Sequence, residues 1–208
     1  MSDTHSRNAP TVIIMAGPNG AGKSTTASAI LSQEGAEVEN YINPDLIARG
    51  LSPNNPDSVS FHSGRIVHDR IRELMRNGEN FAFETTLSGR TYIRTIQMLK
   101  GEGYTVKLFF LWLKSPDLAL IRVRERVKSG GHNIPEDTII RRYTAGLRNF
   151  FNLYQDMVDE WRLYNSSKDA GPQLIASASG GSLTIKNTEL WARLNSKYKV
   201  ITNGEVQE

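Results

Sequence analysis

Thr11-Val12-Ile13-Ile14-Met15-Ala16, followed by Gly17-Pro18-Asn19-Gly20-Ala21-Gly22-Lys23-Ser24-Thr25, reads as a buried strand, a glycine-rich turn and the opening of a helix. The first six residues form a β-rich, apolar run without polar alternation, as expected of a strand covered on both faces. Gly17–Ser24 fits the pattern G-x-x-x-x-G-K-[ST], and strand, loop and helix in that order are the context that gives the pattern meaning. Glycines let backbone N–H groups converge on phosphate oxygens without Cβ clashes, and the helix start adds the positive end of its dipole. Lys23 supplies a charge for the β- and γ-phosphates and Ser24 a hydroxyl for Mg²⁺, so residues 17–25 are the expected cradle of ATP with Mg²⁺. Kinases, ATPases, GTPases and transporter subunits all use such a loop, so the rest of the chain must decide among them.

Working outward, strands and helices alternate. A helix is expected over about Lys23–Ser32, a second strand over Val38–Ile42 and a short helix over Leu46–Arg49, with a loop from Gly50 to Asp57. Phe61–Arg76 carries Val67, Ile71, Leu74 and Met75 at helical spacing. Asn80–Glu84 and Tyr104–Leu113 read as strands, Thr91–Lys100 as a helix. Ser115-Pro116 opens a helix to Lys128 with a cap residue and a proline at the first position. Pro135 starts a long helix whose Tyr143, Leu147, Phe150, Phe151, Tyr154, Met157 and Trp161 make one apolar stripe, read as core packing. Leu174–Ser179 and Leu183–Ile185 form a terminal hairpin around Gly180-Gly181, and Asn187–Tyr198 a closing helix. The pattern predicts an α/β fold of the P-loop NTPase type, a mostly parallel sheet with helices on both faces and a small C-terminal hairpin plus helix. Residues 1–10 are expected to be a loose tail and 11–208 a single domain.

Composition narrows the possibilities. The 208 residues hold 38% hydrophobic and 23% charged side chains, an ordinary soluble globular mix with room for a sizeable core. Lysines and arginines outnumber acids 25 to 22, too weak a bias to argue for nucleic acid. With 0 cysteines, disulfide scaffolds, thiolate zinc sites and cysteine nucleophiles are excluded. The longest apolar run, Leu108–Leu113, falls far short of the roughly 20 residues that cross a bilayer, and the N-terminus lacks a signal-peptide core. A cytoplasmic protein without membrane partners is expected.

A GTPase would show an Asn/Thr-Lys-x-Asp segment, and none is present. Leu87-Ser88-Gly89-Arg90 matches only part of a transporter-ATPase signature, and the strand after it ends in Leu113-Lys114 rather than in acids. Two acids sit instead where a phosphotransferase needs them. Asp45 follows the second strand in Asn43-Pro44-Asp45, and Glu84 ends the third in Phe83-Glu84-Thr85-Thr86. Ligands of open α/β sheets gather outside the carboxyl ends of strands. A carboxylate there can take the proton of an attacking hydroxyl or orient Mg²⁺ through water. Asp45 also suits a helix cap, and Thr85 and Thr86 suit a strand as well as a polar substrate. Arg122, Arg124 and Arg126, a glycine-containing turn with His132, then Arg141-Arg142, make a lid around residues 122–142. Its arginines would neutralise a transferring phosphoryl group, or form a solvated basic face paired with Asp117, Glu125, Glu136 and Asp137.

The ordered set of phosphate loop, Asn43-Pro44-Asp45, Phe83-Glu84-Thr85-Thr86 and Arg122-x-x-x-Arg126…Gly130-Gly131-His132-x-x-Pro135…Arg141-Arg142 resembles the zeta-toxin family of P-loop kinases over roughly Val12–Asn165, and within it the compact bacterial branch often labelled a predicted ABC-type ATPase. The resemblance implies ATP-dependent phosphorylation of UDP-N-acetylglucosamine at the 3′-hydroxyl of the amino sugar, and a small helical antitoxin as partner. It implies Lys23 and Ser24 on phosphates and Mg²⁺, Asp45 as general base, Glu84 and Thr86 on the sugar, and Arg126 as a phosphate clamp. The family's second clamping arginine is replaced by His132, with Arg141 or Arg142 as stand-ins. Its Glu-Gly-Thr-Gly-Arg segment is here Glu84-Thr85-Thr86-Leu87-Ser88-Gly89-Arg90, so the local turn must differ.

The expected activity is therefore transfer of the γ-phosphoryl group of ATP to a substrate hydroxyl. The alternatives are an ATP-binding regulatory or interaction protein with slow hydrolysis, and a kinase of a nucleoside, an antibiotic or another cofactor.

Overall fold

The computed structural model describes residues 9–33, 40–131, 133–168 and 170–200. Most of the expected tail, the first part of the Val38–Ile42 strand and His132 lie outside the described residues.

The chain runs β1 (Thr11–Ala16), α1 (Lys23–Gln33), β2 (Tyr41–Ile42), α2 (Pro44–Leu51), a 3₁₀ turn (Pro56–Val59), α3 (Ser60–Asn77), β3 (Phe81–Thr85), α4 (Tyr92–Gly101), β4 (Thr105–Trp112), α5 (Pro116–Lys128), α6 (Glu136–Asn149), a π-helical turn (Phe150–Tyr154), β5 (Glu160–Asn165), β6 (Gln173–Ser179), β7 (Ser182–Ile185) and α7 (Thr188–Tyr198). The strands form one 7-stranded sheet in the order β2-β3-β1-β4-β5-β6-β7. Strands β1 to β5 pair in parallel, and β6 and β7 add antiparallel at the far edge. The mostly parallel sheet and the C-terminal hairpin agree with the sequence pattern.

β1 lies between β3 and β4, so both its edges are paired and both its faces are covered. Ile13 and Met15 pack with Ala27, Ile30 and Leu31 of α1. Val12, Ile14 and Ala16 point into the larger cluster, built from α3 to α7. That explains the unbroken apolar run: neither face can take a polar side chain. The phosphate loop therefore leaves the centre of the sheet at the carboxyl ends of β1 and β3. No helix among the described residues is long and apolar enough to cross a membrane.

The expected long helix after Pro135 is shorter than its stripe. α6 ends at Asn149, and Gln155 N–H reaches back to Phe150 O at 3.1 Å in a π-helical turn. Asp159 then pairs with β4, its N–H donating to Val106 O at 3.0 Å and its carboxylate accepting from Val106 N–H at 2.8 Å. Trp161 belongs to β5, not to the helix. It reaches the same core from a strand, stacked on Trp191 at 5.5 Å and edge-on to Phe150 at 5.7 Å. The helical spacing was fortuitous, because two elements meeting at one core continued the stripe. The period-two alternation of buried Trp161 and Leu163 with half-buried Arg162 and Tyr164 was the signal for β5.

Candidate active site

The phosphate loop is shaped by contacts that exclude side chains. Gly17 has φ +140°, and a Cβ there would lie 2.4 Å from Leu111 O of β4. Only glycine lets the chain leave β1 in that direction against its neighbour. Gly17 N–H donates to Thr85 O at 3.2 Å, which ties the loop to the end of β3. Lys23 opens α1 and curls back, its Nζ donating to Gly17 O at 2.9 Å and Pro18 O at 3.0 Å. Burial lowers its pKa below the ordinary lysine value, opposed by the nearby carboxylates of Glu84 and Asp45.

Asn43-Pro44-Asp45 turns the chain from β2 into α2. Asn43 caps the helix, its Oδ1 accepting from Asp45 N–H at 2.9 Å and Leu46 N–H at 3.2 Å, and Pro44 pre-sets the first turn. Asp45 sits in that first turn, and its Oδ2 is 3.8 Å from Arg126 Nη1 of α5. The cap therefore belongs to Asn43, not to Asp45, whose side chain remains facing Arg126.

Glu84 at the end of β3 is a buried carboxylate. Its Oε1 accepts from Tyr41 OH and, at 3.1 Å, from Asn43 Nδ2. Burial and the Glu84 charge push the Tyr41 phenol up, so it stays protonated and donates. Beyond Glu84 the chain makes a tight turn. Thr85 Oγ1 accepts from Leu87 N–H at 3.0 Å, Leu87 takes φ +52°, and Thr86 and Ser88 hydroxyls meet at 2.9 Å. Arg90 is exposed at its far side.

The arginines divide. Arg122 donates to Ser166 O at 2.7 Å and to Ser167 O at 3.4 Å, bracing the segment after β5, while Ser166 Oγ donates to Ala21 O of the phosphate loop at 2.7 Å. Arg142 reaches the site half-buried. Desolvation lowers its pKa, and Asp45 opposes that shift. Arg141 is exposed and lines none of the cavities described below. Arg124 pairs with Glu136 at the surface, the solvated-face alternative.

Two cavities meet at these groups. A cleft of about 510 Å³ runs over Gly20, Gly22, Ser24 and Thr25 to Arg122, Arg126, Ser166, Lys168 and Pro172. A chamber of about 200 Å³ is walled by Pro44, Thr85, Thr86, Tyr92 and Arg142. Asn19, Lys23, Asp45 and Glu84 line both. Sequence reasoning missed Asn43 and Tyr41 as polar partners of Glu84, Tyr92 as a chamber wall, and Ser166, Lys168, Gly171 and Pro172 along the cleft. For Asn43 the signal was present, since Asn before Pro at a helix start is a cap. For the four cleft residues after β5 it was not, because β5 was unrecognised.

A glycine-rich loop between the central strand of a parallel sheet and a helix defines a P-loop fold. The chain belongs to the zeta toxin family, a group of P-loop kinases, whose model matches residues 1–169. A Haemophilus influenzae protein described only as uncharacterised is 34% identical over 131 residues, covering 63% of this chain and 91% of its own length. The crystal structure of AvrRxo1-ORF1:-ORF2 with ATP superposes with TM-score 0.71 at 19% identity, over 94% of this chain but 66% of that one. The PezAT chromosomal toxin–antitoxin system of Streptococcus pneumoniae superposes with TM-score 0.64 at 17% identity, over 94% and 82% respectively. At these identities the structural likeness establishes the fold.

Proposed function

We propose that this chain is an ATP-dependent kinase that moves the γ-phosphoryl group to a hydroxyl of a small molecule. The observation that carries the reading is the shared wall: Asn19, Lys23, Asp45 and Glu84 face the phosphate-loop cleft and the chamber beside it. A donor in one and an acceptor in the other would meet there. The side-chain oxygen of Asn19 is buried without a hydrogen-bond partner among the described residues, as suits a group reserved for a ligand.

Backbone N–H groups of Gly20, Gly22, Lys23 and Ser24, with the Lys23 ammonium, hold the triphosphate. The Ser24 hydroxyl, with the Glu84 and Asp45 carboxylates lining the same cleft, fits a Mg²⁺ ion carried mainly by phosphates. Bound there, Mg²⁺ would neutralise phosphate charge. Asp45 accepts the hydroxyl proton of the acceptor as its oxygen bonds to the γ-phosphorus. The bond from that phosphorus to the bridging oxygen breaks, and ADP leaves. Arg126 and Arg142 balance the charge on the transferring group. Thr85, Thr86 and Glu84 supply acceptor contacts, and Tyr92 a ring face.

The family resemblance makes UDP-N-acetylglucosamine the first acceptor to test, and a small antitoxin protein the first partner, in the cytoplasm. The test is ADP release with ATP, Mg²⁺ and single acceptors, starting from that nucleotide sugar and extending to nucleosides. Acceptor-dependent ADP release is expected. Tight ATP binding with no acceptor-dependent release from any pool would favour a regulatory ATP-binding protein instead.

A further inference from the structure

Asn43 does more in this site than cap a helix. A cap needs one acceptor atom, and Asn43 Oδ1 fills that role for Asp45 N–H and Leu46 N–H. Its other side-chain atom, Nδ2, points the opposite way and bridges two groups from separate elements. It donates to Ser24 Oγ at 3.1 Å, at the start of α1, and to Glu84 Oε1 at 3.1 Å, at the end of β3. Asn43 is buried, and its bond to Glu84 is made out of bulk water, where it fixes position more firmly. Tyr41 OH holds the same Glu84 oxygen from β2. One amide thereby connects the hydroxyl expected on Mg²⁺, the carboxylate on the shared wall and the backbone N–H of the residue expected to act as base.

We propose that Asn43 is a positioning residue, setting the metal-side Ser24 and the acceptor-side Asp45 in register through its two-sided amide. The inference rests on the kinase reading for its catalytic half. Its metal half concerns Ser24 alone. By donating to Ser24 Oγ, Asn43 occupies one lone pair and fixes how the remaining lone pair and the hydroxyl proton are directed. By donating to Glu84, it joins Tyr41 OH in fixing the orientation of a buried carboxylate. Groups of this kind, behind a metal ligand, typically control 10- to 100-fold in metal affinity or activity.

Three substitutions separate the two ends of the amide. Asn43→Asp keeps the cap oxygen and replaces the bridging donor with a carboxylate oxygen facing Glu84. Asn43→Ser keeps a capping oxygen and removes the bridge. Asn43→Ala removes both, and its melting temperature should fall by about 3 °C. Binding of a fluorescent, non-hydrolysable ATP analogue is titrated in EDTA and then with Mg²⁺. In EDTA the Ser variant should match the wild type. With Mg²⁺, half-saturation should need about 10- to 100-fold more metal in the Ser and Asp variants, with the Ser variant melting no lower than Asn43→Ala. Phosphoryl transfer by the Ser variant should fall about 100-fold in kcat, with the acceptor KM nearly constant.

Wild-type Mg²⁺ dependence in the Ser and Asp variants, or loss that merely tracks melting temperature, overturns the proposal. A wild-type protein whose ATP binding ignores Mg²⁺ overturns it too. If the Mg²⁺ titrations split as stated but the wild type transfers phosphate to no acceptor, the kinase reading falls and the role of Asn43 behind Ser24 stands.

Discussion

Arg126 of α5 faces Asp45 of α2 with 3.8 Å between Nη1 and Oδ2, so the clamp and the base expected for transfer confront each other across the site. Both side chains are 39% and 52% exposed, and an ion pair in that setting contributes about 0–1 kcal/mol. Its worth to the fold is therefore small, and its worth to chemistry is separable. Asp45→Asn and Arg126→Gln should each shift stability by no more than about 1 kcal/mol in thermal denaturation. Transfer by Asp45→Asn should fall about 10²- to 10⁴-fold, the usual contribution of a general base.

Arg122 should behave differently from Arg126. It braces the carbonyls of Ser166 and Ser167, and Ser166 borders the donor cleft away from the shared wall. Arg122→Met loses charge-assisted hydrogen bonds worth about 1.5–3 kcal/mol to the fold, read as a lowered melting temperature. Titration calorimetry should show weakened ATP binding, and kcat at saturating ATP should change little.

Lys23 predicts a proton linkage. Burial holds its pKa below the ordinary value in the nucleotide-free protein, and a triphosphate beside it would raise that pKa. Between the lowered free value and the raised bound value, the complex holds more protons than the free protein. ATP binding should then take up at most about one proton, and affinity should weaken as pH rises through the alkaline range. Calorimetry in two buffers of different ionisation enthalpy reads the uptake directly. Proton release, or the same pH profile in Lys23→Met, would count against it.

Gly146 of α6 packs tightly against the backbone of Thr86, a wall of the acceptor chamber. A Cβ on Gly146 would stand 2.4 Å from Thr86 O, whereas one on Gly50 of α2 would meet nothing within 4 Å. Gly146→Ala should destabilise by about 1–3 kcal/mol as overpacking and raise the acceptor KM by displacing Thr86. Gly50→Ala should stabilise by about 0.4–1 kcal/mol. Melting curves of the two variants should move in opposite directions.

Much of this molecule was legible because its informative residues are local. The phosphate loop, its strand and its helix are contiguous, and each carries its own chemical reason. Asp45 and Glu84 could be placed because both end strands of a parallel sheet. The π-helical turn at Phe150 was not legible, since one core draws Tyr154 from a helix and Trp161 from a strand at spacings that mimic one helix. The bond from Asn43 to Ser24 was hidden for another reason: it joins residues whose proximity depends on the order of β2, β3 and β1. Likewise Arg122 reads as a lid arginine in sequence, and only the position of β5 beside β4 turns it toward Ser166.

The central claim is transfer across the wall shared by Asp45 and Lys23. Mass spectrometry of a bacterial metabolite extract incubated with protein, ATP and Mg²⁺ tests it most directly, with Asp45→Ala alongside. One metabolite should gain a phosphoryl group with the wild type and not with Asp45→Ala, although that variant still binds ATP. A phosphorylated product formed equally by both proteins, or none with a wild type that binds ATP, would contradict it.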